Sequence, residues 1–338
     1  MEFKNLLLGA FFVFLTAFSP QKKQETEVFW CVNLDKIDIS DFYSKIEQFP
    51  PDSVILTVFS CDDYYAFNDT RIDVYEIFDF LKQRKIKVYF GFSLFSRPVY
   101  ALNNLQAKAV RKPVPGFYVP PGMDTTLNPL YEPLIDNLIE IINDSISKIK
   151  PDGLSFDHTR FFTFDEDFSN LSRKYYMEKY NFDLNNFTPK PIFILNQKEV
   201  GWTREDKLFY DVKAEIIHTG TRKIRDNFSD FEVLAPTMGM TEPARSAGQY
   251  VELQREIFDK FLLMAYDKNS TEAVRNLNET MKASKKPVIL GIHPFFSDAE
   301  AIENIDNAVK NRAFGVYLLG FNFSDAVFRH LSLIRGNI

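Results

Sequence analysis

From Val28 to the C-terminus, short apolar or aromatic runs alternate with longer amphipathic stretches, eight times over. A strand buried on both faces reads as a continuous apolar run, and the amphipathic stretch after it is the helix that covers the sheet. The runs are Val28–Asn33, Ser53–Phe59, Lys87–Phe95, Gly153–Phe161, Glu232–Met238, Phe261–Asp267, Pro287–Phe295 and Phe314–Phe323. Between the first runs, Asp41 opens one helix and Ile72–Lys85 forms another. Tyr131–Lys150 makes a long third, with Leu134, Leu138, Ile141, Ile142, Ile146 and Ile149 at helical spacing. Later helices are expected at Arg204–Asp226, Ala244–Ile257, Thr271–Ala283, Asp298–Asn311 and Ser324–Ile334. Eight such units, with no internal repeat or low-complexity linker between them, predict one α/β domain over residues 28–338, a (β/α)₈ TIM barrel.

Two connections are too long to be simple crossovers. Ser96–Pro129, with six prolines, follows the third strand, and Thr163–Thr203 follows the fourth. Both leave from strand C-terminal ends, where barrels of this kind build their sites, so these loops are expected to wall a cleft.

Charge narrows the partners. With 40 Lys+Arg against 46 Asp+Glu and a net charge of −6, the chain has no basic block, which argues against nucleic acid. Cys31 and Cys61 are too few for a disulfide scaffold and lack CxxC spacing. They are read as buried small residues or, at most, one bridge. Ahead of the barrel, Lys4 precedes a 13-residue, mostly apolar run, Leu6–Phe18. It is shorter than the roughly 20 residues that span a bilayer and predicts a signal peptide over residues 1–21. The protein is then secreted or periplasmic, with a membrane or cell-surface attachment only if the segment stays uncleaved.

Motifs for phosphate loops, dinucleotides, serine hydrolases and zinc peptidases are absent, and four histidines without an HxH on the first strand do not suggest a hydrolytic metal site. No cofactor is expected. What remains is acids at strand ends. The fourth run ends Phe156-Asp157-His158-Thr159-Arg160, and the sixth ends Tyr266-Asp267. Glycoside hydrolysis needs two carboxyl groups flanking the scissile bond, and Asp157 with Asp267 is the predicted catalytic pair. Structural alternatives are an Asp157–Arg160 tie and a helix cap at Asp267. Asp62 and Asp63, past the second strand, are candidate subsite or loop-capping residues. His293 and Asn322 are placed to bond a hydroxyl-rich ligand, and Trp30 offers a stacking platform if it faces the mouth.

The stretch Leu127-Asn128-Pro129, the helix with Leu134, then Asp152-Gly153 and Phe156-Asp157 with Arg160 resemble the fourth repeat of the family-10 glycoside-hydrolase-like barrels. Those proteins show an asparagine-proline start, a helix and a strand of the form DGxxFDxxR/Y. The resemblance implies a secreted or periplasmic glycosidase-type barrel with Asp157 as its active-site acid. His158-Thr159 depart from the acidic or aromatic residues often found there. The same strand is also similar to the DGxDxDxE strand of family-18 chitinases, and Met264-Ala265-Tyr266-Asp267 to their MxYD. On that mapping Ser155 and Thr159 replace an Asp and the acid Glu, which implies a sugar-binding pseudoenzyme. The two expected functions are thus a glycoside hydrolase and a non-catalytic carbohydrate-binding barrel. In the first, Asp157 is nucleophile or base and Asp267 the acid, with Arg160, Tyr266, His293 and Asp62 positioning the sugar.

Overall fold

The computed structural model describes residues 26–114, 126–190, 203–265, 270–320 and 323–336. The strands close into a parallel barrel in chain order, β8 pairing back onto β1. They are β1 (Glu27–Asn33), β2 (Ser53–Phe59), β3 (Lys87–Ser93), β4 (Gly153–Asp157), β5 (Glu232–Thr237), β6 (Lys260–Leu263), β7 (Val288–Ile292) and β8 (Gly315–Leu319). The helices are α1 (Ile39–Gln48), α2 (Val74–Gln83), α3 (Pro98–Asn103), α4 (Glu132–Lys148), α5 (Asn170–Tyr180), α6 (Arg204–Asp226), α7 (Glu242–Ser246), α8 (Val251–Gln254), α9 (Ser270–Ser284), α10 (Asp298–Lys310) and α11 (Asp325–Gly336). This is the predicted (β/α)₈ barrel. No helix among the described residues is long and apolar enough to cross a membrane. The expected signal segment lies outside the described residues.

Several strands stop two to four residues earlier than their apolar runs. Phe95, Phe161 and Phe323 are buried, but they pack under loops at the rim rather than in the ladder. Burial alone makes a run apolar, so the run cannot mark where hydrogen bonding ends. The single helix expected over Ala244–Ile257 is two short ones, parted at Gly248. There φ is +77°, and a Cβ would meet the Lys213 backbone at 3.1 Å.

Alternation sorts each strand into two stripes. Phe29, Ile55, Tyr89, Leu234, Leu262, Ile289 and Tyr317 fill the barrel, while Leu56, Phe90, Phe156 and Leu290 pack outward beneath the helices. Trp30 belongs to the outer stripe. It is 1% exposed, and its ring lies 5.1 Å from Phe328 of α11, so it is a core residue and not the stacking platform expected. Asp157, in phase with Gly153 and Ser155, continues the inner stripe of β4 and emerges at the C-terminal mouth.

Gly153 sits where the plug is tightest. A Cβ there would fall 2.5 Å from the Tyr89 ring and 2.6 Å from the Glu232 carbonyl. Gly153→Ala is therefore expected to cost about 1–3 kcal/mol by overpacking, measured as a lowered unfolding midpoint. An unchanged midpoint would mean that Tyr89 yields freely.

The two long loops lock onto each other. Phe168 N–H donates to the Val110 carbonyl (2.7 Å), and the backbone N–H groups of Val110 and Ser169 both donate to Asp167 Oδ1 (2.9 and 2.8 Å). The amide of Asn128, the asparagine before Pro129, donates to Asp167 Oδ2, and its nitrogen also lies 2.8 Å from Ser169 Oγ. Below them Lys213 of α6 donates to the carbonyls of Thr163, Phe164 and Ser246 (2.9, 3.2 and 2.9 Å). Burial pushes the Lys213 ammonium down to about 7, opposed by the charge of Glu166, while burial pushes Glu166 up to about 7, opposed by Lys213. Lys213 ties the loop after β4 to the helix layer, and Glu166 accepts the Phe162 and Thr163 N–H groups within that loop (2.9 and 3.1 Å).

Candidate active site

The mouth is built from the ends of β1 to β4 on one side and β7 on the other. Asp157 closes β4 with its side chain 41% exposed, and its Oδ1 accepts the His158 backbone N–H at 2.6 Å. That bond orients the carboxylate. His158 takes a left-handed conformation, φ +52°, which turns the chain sharply off the strand and leaves the acid at the rim.

The His158 ring folds back toward β3. Ser93 Oγ donates its one proton to the Ser96 carbonyl (3.1 Å), so its 3.0 Å contact with His158 Nδ1 has the ring N–H as donor. This network assigns the Nδ1–H tautomer, with the lone pair of the neutral ring on Nε2. Nδ1 stands 3.6 Å from Asp157 Oδ2, a Coulombic neighbour and not a hydrogen-bond partner. Burial lowers the His158 pKa below its ordinary 6.5, and the Arg160 charge adds to this, while Asp157 opposes it. The unfolded chain therefore binds this proton more readily, and the group's stabilisation is lost as pH falls through 6.5 toward the folded value. His158→Asn, which tolerates the left-handed backbone, is expected to flatten the acid limb of stability between pH 6.5 and 5 in urea unfolding. An unaltered slope would show that other groups set it.

Cys31 at the end of β1 and Cys61 after β2 are both free thiols facing this region. Burial raises Cys31 to about 12, and the charge of Asp157 pushes both thiols upward. The ends of β1, β2 and β4 thus converge on Asp157. No bridge joins the cysteines. Arg160 sits 5.1 Å over the Phe162 ring and donates to the Phe161 carbonyl at 3.4 Å.

The two acids after β2 have different fates. Asp62 is exposed on the rim. Asp63 is structural: its carboxylate takes the Arg97 Nε at 2.5 Å and the backbone N–H groups of Val99 and Tyr100 at 2.9 and 3.0 Å, capping α3. A carboxylate so occupied is a loop clamp, the loop-capping role expected as one of its two alternatives, and not a free sugar ligand.

Across the mouth, His293 follows β7. The Phe295 backbone N–H donates to its Nδ1 (3.2 Å), which puts the ring hydrogen on Nε2, and burial lowers its pKa, keeping it neutral. His293 is thus a neutral donor suited to a hydroxyl. Beside it, 4.4 Å between ring centroids, the Phe295 side chain is 82% exposed. The seventh apolar run takes in Phe295, but β7 ends at Ile292 and leaves this ring on the rim. Pro294, which cannot donate to a ladder, is the signal that marks the strand's end. Asp267, Tyr266 and Asn322 lie outside the described residues. No group of three or more His, Cys, Asp or Glu suited to a metal occurs among the described residues.

No family model and no curated protein sequence matches the chain. Its fold is nevertheless shared with solved glycoside hydrolases. The glycoside hydrolase domain of PgaB (BpsB) from Bordetella bronchiseptica superposes with a TM-score of 0.66 at 16% identity, over 92% of this chain and 97% of that one. The catalytic domain of β-amylase from Paenibacillus polymyxa gives 0.60 at 12% identity, over 93% and 98%. The β-galactosidase from Marinomonas ef1 gives 0.67 at 9% identity, over 92% of this chain and 59% of that one. The chain is a barrel of glycoside-hydrolase-like fold.

Proposed function

We propose that this protein is an exported glycoside hydrolase that cleaves an O-glycosidic bond of an oligo- or polysaccharide. The observation that carries this reading is the Asp157 carboxylate: part-exposed, held by one backbone N–H, on the inner stripe of β4 at the mouth of a barrel shared with glycoside hydrolases. Asp157 serves as nucleophile or base. Asp267, four residues past the end of β6 in the sequence, serves as the acid. Asp62, Arg160, His293 and Phe295 hold the sugar, together with Tyr266 and Asn322. Export follows from the Leu6–Phe18 run.

Within that fold the family-10-like kind fits better than the chitinase-like kind. Thr159, at the position of the chitinase acid, is fully buried and held by Gln254 Nε2 through its carbonyl at 3.1 Å, so nothing at that position reaches a substrate. The test is a screen of the purified protein against chromogenic glycosides, polysaccharides and a glycan array. Product formation from at least one substrate is expected. Glycan binding without product from any substrate would favour the non-catalytic binding barrel, and neither binding nor product would overturn the carbohydrate reading.

A further inference from the structure

A second pocket, of about 510 Å³, opens where the two long loops meet and shares none of the mouth residues above. That size is ordinary for a small-molecule site, which runs from about 300 to 1,000 Å³. Its walls include Leu105, Lys108 and Val110 from the loop after β3, Tyr131 at the head of α4, and Phe168 and Arg173 from the loop and helix after β4.

Arg173 is the informative residue. Its Nε is buried without an acceptor, and its guanidinium makes no hydrogen bond or ion pair among the described residues. Arg111, next to Val110, shows the usual outcome: it is tied to Asp165 at 2.5 Å. A buried donor without a partner is uncommon and calls for an explanation, and a guanidinium offers a planar fork matched to a carboxylate or sulfate. No acid lines the pocket. The N-terminal turn of α5 faces it too, with Asn170 and Leu171 at its lip. Asp167 already accepts the Ser169 N–H there, so the helix end is partly offset, and the cationic side chains of the lining are Arg173 and Lys108. The half-buried Tyr131 ring and the exposed Gln106 and Asn170 amides complete a lining that suits the apolar face and hydroxyls of a pyranose.

We propose that this pocket is a second carbohydrate site, for a saccharide unit bearing an anionic group, with Arg173 as its anion-binding residue. The proposal rests on the carbohydrate reading above and deepens it: the chain grips an acidic glycan away from the mouth. Polymer held at two points stays near the site after each encounter.

The test is calorimetric titration of the full chain with oligogalacturonate, oligomannuronate and a heparin tetrasaccharide, each beside its methyl-esterified or desulfated form. At least one acidic probe is expected to bind with a Kd below about 1 mM and to lose at least tenfold affinity when its charge is masked. Arg173→Ala and the shape-conserving Arg173→Gln should each weaken that probe at least tenfold, with circular dichroism unchanged. Failure of all three probes to bind, equal binding of masked and unmasked forms, or equal binding by both Arg173 variants would each overturn the proposal. Failure of the hydrolase reading shows elsewhere, as absent turnover, and leaves this titration unchanged.

Discussion

Asp157→Asn is expected to lower kcat/KM by at least about 10³-fold on whichever glycoside the protein cleaves, while leaving its melting curve unchanged. The two halves of that expectation have separate causes. Asparagine has the same shape, and its amide oxygen can still accept the His158 N–H that orients the Asp157 carboxylate. The position is part-exposed, so little packing is at stake. An amide, however, can neither attack an anomeric carbon nor take a proton. Loss of a general base alone costs about 10²–10⁴ in rate, and loss of a nucleophile more. Steady-state kinetics on the best substrate decide it: a variant within tenfold of the wild type would remove Asp157 from the reaction centre.

Asp167→Ala should have the largest effect on stability, about 3–5 kcal/mol. The carboxylate is buried and takes the backbone N–H groups of Val110 and Ser169, the Asn128 amide and the hydroxyls of Ser169 (3.0 Å) and Ser172 (2.7 Å). Removing it takes the shared acceptor from five donors. The hydroxyls can turn elsewhere and the Asn128 amide keeps Ser169 Oγ at 2.8 Å, but the two backbone groups have no substitute, and each unpaired buried donor costs about 1–3 kcal/mol. Burial also raises the Asp167 pKa, against those same hydrogen bonds. Its stabilisation is therefore greatest below the ordinary carboxylate range and declines as pH rises through the folded value. Since these bonds join the two long loops, thermal unfolding and limited proteolysis within residues 105–114 should both respond. A wild-type melting temperature would show that the loops are held by other contacts.

Much of this protein was legible in its residues. The number of strands, their parallel order and the acid at the end of the fourth all follow from local periodicity, and the structure keeps β2 at Ser53–Phe59 and the sixth helix at Arg204–Asp226 as expected. Helix α6 is unambiguous because Thr203 and Asp206 form a capping box at its start and its apolar face repeats over 23 residues. The candidate site was legible only in part. Asp157 and His293 stand at the mouth, but Asp63 belongs to Arg97, 34 residues on, and Phe295, inside the seventh apolar run, is an exposed rim residue.

Composition and periodicity by themselves determined the barrel, because a strand covered on both faces must be apolar throughout and a covering helix must be amphipathic. Which way each strand side chain faces was decided only on closure. In Glu27–Asn33 both stripes are apolar, so nothing local separates Phe29 inside the barrel from Trp30 outside it. Likewise no local pattern announces that Asn128, Val110 and Ser169 will meet on one buried carboxylate. Those partners are brought together by the path of two loops over the rim, and hydrogen bonds between distant segments leave no periodic trace in either one.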